Sequence, residues 1–358
     1  MKILPLLLSL SLVLAIACGG DGDSASSSPS SGSSGATSGS AASAQPSTTT
    51  AAAPEATATT APAPAATTVA AASPESAPVL PATVTGVNGE EVTVTDVSRI
   101  IPLNGEITEV LYALGLGDNI VGVDISATYP PEATEKPSIG YQRTLSAEGI
   151  ISLNPTVIIG TEAAGPTEVI EQIRSIGVPV VIIHDPVVLE DAAAKIRIVA
   201  AAMGVPNRGE ALASQTEDEI DEALALAAKA ETQPRVMFLY LRGSTVQVIM
   251  GTGSGGDVMT ESAGAIDVGV EEGIQGTKPI TPEALVAGAP DYFLVLTAGL
   301  ESVGGVDGLL QIPGIAQTPA GQNRAVIALD DQYLLGHGPR IGKALMELIV
   351  AFHPELRQ

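Results

Sequence analysis

The sequence predicts an α/β protein of two Rossmann-like lobes with mostly parallel sheets, joined by one long rigid helix. Three observations predict it. Short apolar runs alternate with helix-length segments through most of the chain, as in a parallel sheet covered by helices. One pattern occurs twice, with Ser146 to Ile159 echoed by Thr281 to Leu294. Between the two copies, the segment from Arg208 to Ala230 has no Gly or Pro after Gly209. That segment suffices for one helix of about 20 residues, about 30 Å long.

Each element has its own signal. Thr83 to Val87 and Glu91 to Thr95 alternate in polarity around Asn88-Gly89, which predicts a hairpin. Ile100 to Leu103 reads as a buried strand, Glu106 to Leu114 as a helix closed by Gly115, and Ile120 to Val123 as a strand. Further strands are expected at Val157 to Ile159 and Val178 to Ile183, with a helix from Pro166 to Ile176 between them. Leu189 to Glu231 is rich in Ala, Leu, Glu and Asp, and breaks only around Gly204-Val205-Pro206. Strands follow at Val236 to Leu241, Val246 to Met250, Tyr292 to Leu296 and Val326 to Leu329. Helices are expected around Gly256 to Ala263 and from Pro339 to Phe352. The resulting partition is 82–205 for the first lobe, 206–232 for the connecting helix and 233–358 for the second lobe.

The start of the chain is different in kind. Lys2 precedes an apolar run from Ile3 to Ile16 that is too short for an ordinary span, and Ala15-Ile16-Ala17-Cys18-Gly19 resembles a bacterial lipobox. Residues 1–17 read as a secretory signal. Cys18, the one cysteine, reads as the lipidated residue, so no intramolecular disulfide is expected. Residues 18–81 are Ser, Ala, Thr, Pro and Gly with four acids and no Lys or Arg, a composition too polar to offset the entropy of ordering. Such a tether has an end-to-end distance of about 45 Å. The expected location is extracytoplasmic, lipid-anchored to the outer face of the cytoplasmic membrane. A formal net charge of -24 argues against nucleic acid as a partner. With three Phe, six Tyr and no Trp, each Tyr merits placing.

In both copies of the repeated pattern a hydroxyl residue two before a Glu reads as a helix N-cap, and a Pro seven residues after the Glu precedes an apolar strand. Glu148 and Glu283 thereby become matched carboxylates, one per lobe. That suits a grip on a symmetric partner, although a Glu that only complements a helix N-terminus would look the same.

Four segments carry a family resemblance: Glu109-Val110-Leu111-Tyr112-Ala113-Leu114-Gly115, Thr128-Tyr129-Pro130-Pro131-Glu132, Ile139 through Gly149 with Gly140-Tyr141-Gln142-Arg143, and Leu335-Gly336-His337-Gly338-Pro339-Arg340. From about residue 82 onward the chain resembles the substrate-binding proteins of ABC importers whose lobes are joined by a helix. Within that class it is most similar to the haem-binding members. The resemblance implies that Tyr141 is an axial ligand to haem iron with Arg143 beside it, and that Glu148 and Glu283 dock the lobes onto Arg residues of an ABC permease dimer with its ATPase. It also implies haem as the transported ligand and a monomer without catalytic activity. A phenol with a pKa near 10 binds as phenolate only with positive charge nearby, and ferric iron and a guanidinium supply two such charges.

In the second lobe Tyr240, Arg242, Tyr333 and His337 are candidate haem-pocket residues, as is Tyr129 in the first. His337 departs from the family, whose members often carry an apolar residue there, and an imidazole can ligate iron or bond a propionate. His184 and His353 read as structural or surface residues. Cobalamin or a ferric siderophore is the alternative ligand within the class. A surface-tethered enzyme or an adhesion module is the alternative of another class. Against an enzyme, the sequence has no Gly-x-Ser-x-Gly elbow and no His-Glu-x-x-His.

Overall fold

Strands buried on both faces are apolar along their buried stretch, as Val157 to Ile159 and Val236 to Leu239 are here. In a computed structural model describing residues 77–185 and 188–357, an antiparallel hairpin of β1 (Ala82–Thr85) and β2 (Glu91–Val94) precedes β3 (Ile100–Pro102) and α1 (Gly105–Ala113). Next come α2 (Ala147–Ser152), β4 (Val157–Thr161), α3 (Thr167–Ser175), β5 (Val180–Ile183) and α4 (Asp191–Ala202). The long helix α5 (Pro206–Ala227) leads to β6 (Arg235–Arg242), β7 (Val246–Met250), α6 (Gly256–Ser262), β8 (Ile266–Asp267), α7 (Val268–Glu271), β9 (Thr277–Pro279), α8 (Pro282–Gly288) and β10 (Tyr292–Leu296). Then follow α9 (Thr297–Ser302), α10 (Gly305–Leu309), α11 (Pro319–Asn323), β11 (Val326–Leu329), α12 (Asp331–Leu335) and α13 (Ile341–Phe352). The signal segment, Cys18 and nearly all of the expected tether lie outside the described residues.

The first lobe is built on the parallel sheet β3-β4-β5, and the second on β11-β10-β6-β7-β9 with β8 beside β6. In the second sheet β11, β10, β6 and β8 run parallel, while β7 pairs antiparallel with β6 and β9 antiparallel with β7. The expected strand at Ile120 to Val123 is present only as single bridges, Ile100 to Ile120 and Val123 to Ser138. Its backbone bonds to β3 through Val121 and to Pro137 through Val123, so the chain changes partner before either ladder lengthens. Both lobes are layered alike. Ile100 and Ile159 face a core shared with α1 and α4, whereas Ile101 and Ile158 face one shared with α2 and α3.

The connecting helix belongs to both lobes. Leu212 and Ala213 of α5 lie in the core under β3 and α4, and Ile220 and Ala223 lie in the core formed by α6, α13 and the second sheet. Two glycines permit this. A Cβ on Gly209 would stand 2.2 Å from the Ala200 Cβ on α4, and one on Gly342 of α13 would stand 2.7 Å from the Glu219 carbonyl carbon on α5. Arg197 of α4 also bonds both Glu210 and Glu217, which lie two turns apart on α5. Replacing a helix Gly by Ala ordinarily stabilises by about 1 kcal/mol. Gly209→Ala is expected instead to destabilise by about 1–3 kcal/mol, because overpacking forces α4 from α5. Urea unfolding checks the sign, and a stabilised variant would refute the close contact.

Candidate functional site

In open α/β sheets ligands bind beyond the carboxyl ends of the strands. Tyr141 lies at that edge in the first lobe, just after the bridge made by Ser138. Its loop is fastened from several directions. The Ile125 N–H donates to the Gly140 carbonyl at 3.0 Å, and the Gly165 N–H donates to the Gln142 carbonyl at 2.8 Å. The Gln142 side chain accepts from Asn104, whose own oxygen accepts from the Thr161 N–H at 2.8 Å. Tyr141 stays 41% exposed on this fixed backbone, and the neighbouring Ile125 is 63% exposed. Arg143 is exposed two residues on. Beneath the loop, Asp124 is buried and accepts from the Ser126 N–H and hydroxyl at 3.1 and 2.8 Å. Burial raises its carboxyl to about 6, against bonds from Ser126 and Gln142 that lower it.

At the matching edge of the second lobe, Tyr240 and Arg242 alternate with buried Leu241 along β6, so their side chains share a face. The Arg242 guanidinium lies 4.4 Å from the centroid of the Tyr240 ring. It donates to Asp331 at 2.5 Å and to the Leu241 carbonyl at 2.8 Å. Tyr240 and Arg242 are thus brought together. No corresponding contact joins Tyr141 to Arg143 among the described residues.

The other candidates lie at the junction where the lobes touch. Arg340 sits 3.5 Å from the Tyr129 ring centroid and 4.9 Å from that of Tyr333, so it is held between them. It donates twice to Glu109 of α1, at 2.8 and 2.9 Å, and Glu109 is 4% exposed. Gln332 of α12 accepts from the Thr128 and Tyr129 N–H groups and donates to the Gly105 carbonyl and to Glu109. Burial pushes the Tyr333 phenol above its ordinary range, a direction that favours the neutral phenol over a phenolate ligand. His337 is 1% exposed with a left-handed backbone (φ 44), and its Nδ1 lies 3.4 Å from the Val188 carbonyl. Burial lowers its pKa, the neighbouring Lys195 adding to the effect. Tyr129, Tyr333 and His337 therefore contribute to the contact between the lobes. His184 is on the surface, 3.4 Å from Glu162, and His353 is buried against the Ala263 carbonyl.

The repeated pattern has a common local structure. Ser146 caps α2 by accepting from the Gly149 N–H, and Thr281 caps α8 by accepting from the Ala284 N–H. Glu148 and Glu283 both occupy the first turn and are exposed. A concavity of about 500 Å³ lined by Pro234, Asp291, Tyr292 and Ala325 lies at the opposite, amino ends of β6, β10 and β11, away from these residues. Sequence reasoning assigned no role to Glu109, Gln332, Asp331 or Asp124. Glu109 lies inside the first segment of the family resemblance, and Asp331 and Gln332 lie two and three residues after the end of β11, which is the signal the sequence offers.

The sequence profile described as periplasmic binding protein matches residues 100–333. Among solved structures, the periplasmic heme-binding protein RhuT from Roseiflexus sp. RS-1, in apo form, is 56% identical, with a TM-score of 0.71 over 73% of this chain and 100% of that one. Among curated proteins, the uncharacterized ABC transporter substrate-binding lipoprotein YvrC of Bacillus subtilis is 24% identical over 279 residues, 77% of this chain and 86% of that one. The vitamin B12-binding protein of Vibrio parahaemolyticus is 32% identical over 144 residues, 40% of this chain and about half of its own length (51%).

Removing one partner of a buried ion pair leaves an uncompensated charge, so Arg340→Ala is expected to cost about 3–5 kcal/mol of stability. The double variant Glu109→Leu with Arg340→Met should recover most of that loss in urea unfolding. Asp124 gives a pH signature. Its folded value lies above its ordinary 3.8, so its contribution is complete below about 4 and is lost as pH rises through about 6. The difference corresponds to about 3 kcal/mol. Wild type should therefore gain stability relative to Asp124→Asn as pH falls from 7 to 4, and thermal melts at each pH read the change.

Proposed function

We propose, from the premise that the chain belongs to the periplasmic binding protein family, that it captures ferric haem outside the cytoplasm and delivers it to an ABC import permease. The observation that carries the reading is the pair of tyrosines at the carboxyl edges of the two lobes. Tyr141 is exposed on a fixed loop, and Tyr240 lies under a guanidinium. Identity of 56% along the whole of a heme-binding protein supports haem over cobalamin, whose binding proteins match along about half their length.

Tyr141 is the axial ligand to the iron from the first lobe, with Arg143 close by for a propionate. Tyr240, with Arg242, contacts the haem from the second lobe. Ferric iron and a guanidinium supply the positive charge that a phenolate ligand needs. Glu148 and Glu283, each exposed on the first turn of a capped helix, dock the lobes onto basic residues of the permease. Cys18 carries the lipid that anchors the chain to the outer face of the cytoplasmic membrane. The protein acts as a monomer, and capture and delivery require no catalytic step from it.

Titrating the purified full chain with hemin tests this reading. Saturable binding with a Soret band is expected, and Tyr141→Ala or Tyr240→Ala should shift that band and weaken binding at least tenfold. Saturable binding of cobalamin or a ferric siderophore with none of hemin would overturn it.

A further inference from the structure

We infer that Asp331 is the positioning residue of the second-lobe tyrosine: it holds the Arg242 guanidinium over the Tyr240 ring. The assignment rests on the reading of Tyr240 as a ligand contact, but its geometry stands independently. Arg242 has a long, flexible stem and is 37% exposed at its side chain. An arginine so placed would sample water unless something fixed its head. Two acceptors fix it. Asp331 takes one terminal nitrogen at 2.5 Å, the Leu241 carbonyl takes the other at 2.8 Å, and the plane is left against the Tyr240 ring at 4.4 Å.

Two further features point to a built arrangement. Gly299 of α9 has no side chain where one would intrude, since its Cβ would stand 2.9 Å from the Leu241 carbonyl oxygen and 3.4 Å from the Arg242 terminal nitrogen. Asp331 is also held. It opens α12, which Asp330 caps through the Tyr333 N–H at 3.1 Å, and its neighbour Gln332 is anchored in the other lobe by Thr128, Tyr129, Gly105 and Glu109. The carboxylate therefore presents a fixed acceptor to a mobile cation. Because both side chains are more than one third exposed, the pair itself adds little to stability. Its effect is on where the charge of Arg242 sits relative to the phenol, and this separates a positioning role from a structural one.

The experiment uses the full chain with ring-labelled tyrosine, first without hemin and then with it. In the hemin-free protein, Asp331→Asn is expected to shift the Tyr240 ring resonances, assigned by their loss in Tyr240→Phe, with a melting temperature close to wild type. Asp331→Glu should restore the resonances. With hemin bound, Asp331→Asn should shift the Soret band. It should also speed hemin transfer to an acceptor haem protein about tenfold. Both effects should vanish in a Tyr240→Ala background and persist in a Tyr141→Ala background. Unchanged Tyr240 resonances in Asp331→Asn, or a hemin effect undiminished by Tyr240→Ala, would overturn the assignment. Shifted resonances in a protein that binds no hemin would uphold the positioning role and remove the haem reading alone.

Discussion

One buried ion pair joins the two lobes at their junction. Glu109 leaves α1 of the first lobe with 4% of its side chain exposed, and Arg340 meets it from the turn before α13 in the second lobe. Neither charge could remain in this dry contact without the other, since the desolvation of a lone carboxylate or guanidinium exceeds what local packing returns. Two parallel hydrogen bonds, a tyrosine ring on each side of the guanidinium and a donor from Gln332 satisfy the pair. A shift of either lobe past the other would break a bidentate bond, and with it the Gln332 bonds to Thr128, Tyr129 and Gly105.

The turn that delivers Arg340 has a composition set by this contact. A Cβ on Gly338 would stand 3.4 Å from the Glu109 carboxyl carbon, and one on Gly336 would stand 2.4 Å from the Gln332 carbonyl oxygen. Lys195 of α4 crosses to donate to the Gly336 carbonyl at 2.7 Å. Burial drives the Lys195 ammonium downward and raises the nearby Glu106 to about 7, each moderated by the other. The junction is therefore a polar network enclosed by apolar cores, and its members are usable only together.

What could be read from the sequence follows from the range of the interactions. The Ser146 and Thr281 caps are local, and the repeat that contains them folds with the same hydrogen bond in each copy. The hairpin at Asn88-Gly89 and the long helix are local as well, fixed by turn chemistry and by the absence of breakers. The strand at Ile120 to Val123 was apolar enough to be expected, but partner choice splits it between β3 and Pro137, which no pattern of residues encodes. The candidate site divides in the same way. Tyr240 and Arg242 could be matched because the strand period puts them on one face, whereas Asp331 is distant in sequence and meets them through the sheet order β11-β10-β6. Tyr129, Tyr333 and His337 carried suitable chemistry for a haem pocket. Tyr129 and Tyr333 are placed at the junction by Arg340, and His337 lies beside the Val188 carbonyl; sequence gives no distance between these positions.

A helix shared by two cores and a buried clamp have one consequence for capture. Movement about α5 would have to separate Gly209 from Ala200 or Gly342 from Glu219, contacts that leave no room for sliding. Ordering a ligand between such lobes then costs the freedom of a few side chains rather than a large closure, which is the condition under which binding energy is retained as affinity. Tyr141 on its fastened loop and Tyr240 under an anchored guanidinium are the elements that such a scaffold can hold ready. The exposure left at Tyr141, Ile125 and Arg242 marks the surface that remains for a ligand to cover.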